Sequence, residues 1–244
     1  PPDAPPPKVK AITGERLTPS DVAAVLSDAV NPLMGQERTG SEFRISLAGA
    51  QEKTALLRHE GAWHRPTGAT PTTHIFKLPL GSNPQGIDLS SSVENEWLCA
   101  RVLQEFNLPV ASCDIATFGE QRVLVVERFD RKLAADGTWW MRLPQEDFCQ
   151  AMATAPAFKY ESDGGPGIPQ IMDILLGSQQ ARTDREIFMR TQFVFWLLAA
   201  IDGHAKNFSI THLAGSDYRL TPNYDVLSAY PIIGRGRGKL AAQK

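Results

Sequence analysis

The chain has 244 residues, 42 % of them hydrophobic and 21 % charged, enough apolar material for one large domain or two small lobes around real cores. Lys+Arg 25 against Asp+Glu 27 leaves a formal net charge of −2, which excludes a chain-wide polycation for nucleic acid or membrane but not a local basic patch. The longest unbroken apolar run, Phe193 to Ile201, is too short to span a bilayer, so no membrane partner is expected.

No charged-then-apolar leader opens the chain, and Cys99, Cys113 and Cys149 are far apart with no C-x-x-C between them. Together these features point to a reducing, cytoplasmic setting rather than a disulfide framework or a cysteine zinc cluster.

Residues 1–7 read as a stiff proline-rich linker. Thr18-Pro19-Ser20-Asp21 opens a short helix, with a hydroxyl at the cap, proline at the first helical position and an acid in the first turn. Val22, Val25 and Leu26 form its inward face. Phe43 to Leu57 alternates β-like runs around a turn at Ala48-Gly49-Ala50, and Thr72 to Leu80 reads as a strand. In that strand Ile75 and Lys77 share one face, and Phe76 and Leu78 the other.

After a polar loop from Gly81 to Ser91, Ser92 is expected to cap a helix through Phe106, with Val93, Trp97, Leu98, Val102 and Phe106 along one stripe. Arg122 to Phe129 is a nearly continuous apolar strand. From Gln145 the pattern turns mostly helical, with helices predicted over 146–153, 168–176 and 184–201. The last is apolar nearly all round in its second half, which predicts a central, buried helix. Strands first and helices later argue for an α+β fold, with a strand-rich front lobe over 41–128 and a helical rear lobe over 129–244.

The chemistry concentrates after the last long helix, in Asp202-Gly203-His204-Ala205-Lys206-Asn207. Asp202 and Asn207 have the spacing of a protein-kinase catalytic loop, where Asp accepts the substrate hydroxyl proton and Asn holds Mg²⁺. A second acid, Asp225, follows in Tyr224-Asp225-Val226-Leu227, where the metal-binding Asp of a kinase would stand. Against this, Asp202-Gly203 could simply cap a helix and Asp225 begin a turn.

Lys77 lies inside a β-run, where a buried ammonium needs phosphate or carboxylate, and Glu94 and Glu96 are both candidates to hold it. The bland alternative is a solvated lysine on the outer strand face. Ser46 to Thr54 offers small residues for close backbone approach to phosphate, but it matches neither a Walker A loop nor G-x-G-x-x-G, and a hairpin turn explains it nearly as well. The cluster Ser162 to Gly167 reads as a connector or a weak anion site. The five histidines form no H-E-x-x-H, and there is no serine-hydrolase motif.

Taken in order from Phe43 to Pro231, ISLAGAQEKTALL, TPTTHIFKLPLG, VVERFDR, LPQEDFCQ, KYESDGGPGI, DGHAKNFS and YRLTPNYDVLSAYP resemble the HipA kinases, toxins of bacterial HipBA-type toxin–antitoxin modules. The resemblance implies a two-lobed, protein-kinase-like fold that uses ATP and Mg²⁺. It makes Lys77 the ATP-phosphate ligand, Glu127 and Phe129 the hinge of the adenine pocket, and Ala48, Gly49, Ala50 and Gln51 the phosphate loop. It makes Asp202 the catalytic base, Asn207 and Asp225 the Mg²⁺ ligands, and Ser46 an autophosphorylated serine that switches the enzyme off.

It further implies a helix-turn-helix antitoxin of HipB type as partner, with DNA reached only through that antitoxin. The implied substrate is an aminoacyl-tRNA synthetase, glutamyl-tRNA synthetase being the family's example, and the outcome is growth arrest. Ile201 stands where the family often has Thr, a change that leaves the chemistry intact. The family also has a subdomain before this region and helices after it; the resemblance therefore makes residues 1–40 a linker and remnant of that subdomain, and the 184–201 helix is expected to lack cover on its apolar side. The competing expectation is a non-catalytic, truncated kinase-like module that serves as partner or corepressor to an antitoxin.

Overall fold

The computed structural model describes residues 9–30, 51–82 and 87–233. The first strand, β1 (Gly14–Leu17), leads into α1 (Pro19–Val30). Thr18 and Asp21 cap that helix reciprocally: the Thr18 backbone N–H and hydroxyl donate to Asp21, and the Asp21 N–H donates to the Thr18 hydroxyl. These bonds hold the Asp21 carboxyl below its ordinary range.

Next come β2 (Lys53–His59), β3 (Ala62–Pro66), β4 (His74–Lys77), α2 (Ser92–Glu105), β5 (Cys113–Phe118) and β6 (Gln121–Glu127). The six strands form one antiparallel sheet in the order β1-β3-β2-β4-β6-β5. Alternation along each strand sends side chains to two covered faces. Leu56, Phe76, Leu78 and Val123 pack with Val22 and Leu26 of α1, while Leu124 and Cys113 pack with Val93 and Ala100 of α2. Lys77, one residue from Phe76, is therefore delivered to the α2 face.

The second half contains β7 (Arg131–Leu133), β8 (Trp140–Arg142), β9 (Gln145–Asp147), α3 (Phe148–Ala151), α4 (Ile168–Ile174), α5 (Ala181–Leu198), β10 (Ser209–His212), β11 (Tyr218–Leu220) and α6 (Tyr230–Ile233), with 3₁₀ turns between them. Its core joins Leu103 and Leu108 to Phe148, Ile171, Leu175, Phe188, Phe195, Phe208 and Val226. No helix among the described residues is long and apolar enough to cross a membrane.

Several expectations need correction. Ser92 does not cap α2. Ser91 holds the cap position without a side-chain bond, and the Ser92 hydroxyl accepts the Leu80 N–H instead. The buried stripe of α2 is Val93, Glu96, Cys99, Ala100 and Leu103, leaving Leu98 and Phe106 exposed. The stripe is rotated because the helix must turn Glu96 toward the sheet.

The helix predicted over 146–153 begins at Phe148, because Gln145–Asp147 is claimed by antiparallel pairing with β10. Asp147 and Gln150 then form a capping box at the helix start. Finally, α5 is not buried all round. Phe188, Val194 and Phe195 enter the core, but Phe193 is 58 % and Trp196 72 % exposed, since no other described element crosses that face. The expectation of an uncovered apolar side on this helix agrees with that exposure.

Candidate active site

The site is built where the α2 face of the sheet meets the segment after β11. Lys77 Nζ donates to Glu96 Oε1 at 2.5 Å, and both side chains are 7 % exposed. The same ammonium is bonded to Asp225 Oδ1, whose side chain is 42 % exposed. Glu94, the other candidate partner, points outward and pairs with Arg122. Helical spacing decides between them: on α2 only Glu96 lies on the stripe that faces β4.

Burial alone would pull the Lys77 ammonium down, but Glu96 and Asp225 together hold its pKa above the ordinary lysine value. Burial pushes the Glu96 carboxyl up against the pull of Lys77. For Asp225 the balance goes the other way: although partial desolvation by its neighbours raises it, the Lys77 ammonium keeps its carboxyl below the usual range. Lys53 is the direct cross-strand partner of Lys77, so a second ammonium shares this face. Burial, with Lys77 adding repulsion, lowers its pKa against the pull of Asp225 and Glu96.

Asp225 is held in place from both sides. Asn223 exchanges backbone bonds with the 109–111 segment and donates its amide to Pro109 O and the Thr191 hydroxyl. Asn95 of α2 brackets Ser228, accepting its N–H and donating to its carbonyl. Between these anchors Asp225 takes a left-handed φ of 59°, an uncommon conformation for a non-glycine residue. Its carboxylate thereby reaches Lys77 from the second half of the chain.

Asp202 and Asn207 come from the turn after α5. The helix ends at Ala199 in a left-handed conformation, with Ala200 N–H bonded to Phe195 O. Gly203 then passes close to the helix; a Cβ there would lie 2.7 Å from the Phe195 ring. Asn207 is buried, and its Oδ1 accepts the His204 N–H in a tight 3₁₀ turn. Burial lowers the pKa of His204, opposed by the nearby Asp202. The Tyr224 hydroxyl, one residue before Asp225, donates to Lys206 O at 3.1 Å, so the two segments are in direct contact.

Glu127 and Phe129 fall at the end of β6 and just beyond it. Glu127 pairs with His74 in the sheet and is exposed, while the Phe129 ring lies 5.8 Å from that of Tyr224, next to Asp225. Below them Asp130 is bonded by both Arg128 and Arg131, which stiffens the crossover between the halves. Gln51 Nε2 donates to Leu78 O, tying the start of β2 beside Lys77. Ser46, Ala48, Gly49 and Ala50 lie outside the described residues.

Lys53, Lys206 and Tyr160 stood inside quoted segments without a role of their own, and the structure brings all three to the site. Lys206 Nζ bonds Asp147 at 2.6 Å, and the Tyr160 hydroxyl donates to Asp202 Oδ1 at 2.5 Å. The strand register could have exposed Lys53, two residues from Ala55 on a predicted strand. Nothing in sequence spacing links Tyr160 to Asp202, which lie 42 positions apart.

Among the described residues no three His, Cys, Asp or Glu side chains converge into a metal cage. The oxygen donors of Asn207 and Asp225 fit the different pattern of Mg²⁺, which takes one or two protein oxygens and completes its shell with phosphates and water.

A sheet that presents a lysine–glutamate pair to a cleft, faced by an aspartate and a catalytic-loop-like turn from a second half, is a two-lobed, protein-kinase-like α+β fold. The comparisons with known proteins agree. The family model for the HipA-like C-terminal domain matches residues 45–244, and the chain belongs to that family.

It is 35 % identical over 239 residues to a Sinorhizobium fredii protein named "Putative kinase Y4mE", covering 95 % of this chain and 54 % of that protein. It is 28 % identical over 235 residues to the "Serine/threonine-protein kinase toxin HipA" of Shewanella oneidensis, covering 91 % and 52 %. The solved complex of Shewanella oneidensis MR-1 HipA with HipB and operator DNA is similar in fold, with a TM-score of 0.71, 24 % identity and coverage of 94 % of this chain and 53 % of that one. The chain thus spans about half the length of the relatives it matches.

Proposed function

We propose that this chain is the catalytic core of an ATP- and Mg²⁺-dependent serine/threonine protein kinase of the HipA type. The observation that carries the reading is the convergence of Lys77, Glu96 and Asp225 from β4, α2 and the segment after β11. Glu96 fixes the ammonium so that it meets ATP phosphates with its charge intact, and Lys53 adds a second cation on the same face. Glu127 and Phe129 line the adenine end, and Gln51 belongs with Ala48, Gly49 and Ala50 to the loop over the phosphates.

Asn207 and Asp225 would hold Mg²⁺, which when bound offsets the charge of the triphosphate. Asp202 orients the attacking hydroxyl and accepts its proton. Residues 41–128, together with β1 and α1, which share their sheet and core, then form the nucleotide lobe, and 129–244 the catalytic lobe.

Family membership and the likeness to the HipA–HipB–DNA complex support a toxin role with a HipB-like helix-turn-helix antitoxin, DNA being reached through that partner. The proposed target is an aminoacyl-tRNA synthetase, with Ser46 as the autophosphorylated off-switch. The test is transfer of radiolabelled phosphate from ATP by the 244-residue chain and by a form as long as its relatives. Incorporation into either supports the kinase. Nucleotide binding without transfer in both supports instead a non-catalytic module that partners an antitoxin.

A further inference from the structure

We infer that Tyr160 is a positioning residue for the Asp202 carboxylate, and that the glycine-rich turn after it serves to hold the phenol against the catalytic loop. The inference rests on Asp202 being the base of the proposed kinase and adds a residue to that site.

Three contacts join residues 159–160 to the 202–205 turn. The Tyr160 hydroxyl donates to Asp202 Oδ1 at 2.5 Å. The Tyr160 ring meets His204 edge-on, with centroids 5.0 Å apart. The Lys159 carbonyl accepts the Ala205 N–H at 3.2 Å. Lys159 Nζ also lies over the Tyr160 ring, 4.9 Å from its centroid, so the phenol is held by more than one neighbour.

The sequence of this stretch, with glycine at 164, 165 and 167, suggests a loose connector, but the backbone is a tight turn. Tyr160 O accepts N–H groups from both Asp163 and Gly165, at 3.1 and 2.9 Å. Gly164 adopts φ +84°, and a Cβ on Gly165 would sit 1.9 Å from Phe158 O, a clash no side-chain rotation relieves. The glycines are thus required by the path of the chain that presents Tyr160.

The chemistry follows from the acceptor capacity of a carboxylate. Asp202 is on an exposed turn, where its two oxygens would otherwise interchange by rotation. A phenol bonded to Oδ1 fixes that rotation and leaves Oδ2 to accept a substrate hydroxyl. A tyrosine suits this role because its phenol is already protonated at physiological pH, and burial with the bond to Asp202 pushes its pKa further up, to about 12.

The test compares steady-state phosphoryl transfer by wild type, Tyr160→Phe and Gly165→Ala, in whichever form of the protein carries transfer, alongside binding of a fluorescent ATP analogue. Tyr160→Phe keeps the ring contacts and removes only the hydroxyl. The expected result is a fall in kcat of about tenfold or more, the scale set by one hydrogen bond to a charged group, with KM for ATP and analogue affinity within about twofold of wild type. Gly165→Ala is expected to reproduce the kcat loss by displacing the turn. A Tyr160→Phe enzyme with wild-type kcat, or one that loses kcat and nucleotide affinity in parallel, overturns the positioning role while leaving the kinase reading standing. Absence of transfer in every wild-type form overturns the kinase reading itself and this inference with it.

Discussion

The Lys77–Glu96 pair gives the sharpest energetic test, because its two members are buried to the same degree while the third, Asp225, is not. At 2.5 Å the pair's Coulomb attraction at an effective dielectric of 20 is about 7 kcal/mol, but desolvation of each ion takes back several kcal/mol. The intact pair is therefore worth little net, whereas deleting one member strands the other.

Lys77→Met leaves Glu96 without its cation and is expected to cost about 3–5 kcal/mol. Glu96→Gln leaves Lys77 with half-exposed Asp225 as its remaining carboxylate, and is expected to cost about 2–3 kcal/mol. The double variant leaves neither Lys77 nor Glu96 as a stranded ion, with only half-exposed Asp225 losing its cation, and should cost well below the sum, giving a coupling of about 2–3 kcal/mol. Urea unfolding followed by far-UV circular dichroism, with m unchanged across the four proteins, measures the cycle. Additive single effects to within about 0.5 kcal/mol would refute the argument that the pair is an energetically closed unit.

Asp202→Asn is expected to lower phosphoryl transfer by about 10²–10⁴-fold while nucleotide affinity stays near wild type; retained transfer removes Asp202 from the role of base. Ser46→Ala should abolish autophosphorylation at that position, read by mass mapping of the chain after incubation with ATP; phosphate accumulating mainly elsewhere refutes the switch.

His74 is held down to about 4 by burial and, secondarily, by Arg58. The unfolded chain therefore binds a proton near pH 6.5 that the fold refuses until about pH 4, and stability falls as pH drops through that window, by up to about 3 kcal/mol. His74→Gln should flatten this slope in unfolding curves taken between about pH 7 and 4. Asp184, buried at the start of α5, accepts the Ser178 hydroxyl and the Leu220 N–H. Asp184→Ala strands the Leu220 N–H and leaves the Ser178 hydroxyl only the longer bond to Tyr218 O, and should cost about 2–3 kcal/mol in urea unfolding.

Local chemistry in the sequence determined more than the outline of the fold. The Thr18–Asp21 cap, the alternation that puts Lys77 opposite Phe76, and the Asp202–Asn207 spacing are short-range features, and each is legible because its partners lie within one turn or one strand. Tertiary structure alone decided which carboxylate meets Lys77: Glu94 and Glu96 are equivalent in a linear reading, and only the rotation of α2 against β4 separates them. It also decided where the 145–147 segment goes, since pairing with β10 outweighs a helical pattern, and how far α5 is buried, since burial depends on neighbours rather than composition.

The glycine-rich stretch shows the same division. Its composition is that of a flexible connector, yet close backbone approach at Gly165 and the reach of Tyr160 to Asp202 make it a fixed part of the site. Backbone geometry and long-range hydrogen bonds set that role, and neither leaves a periodic trace in the sequence.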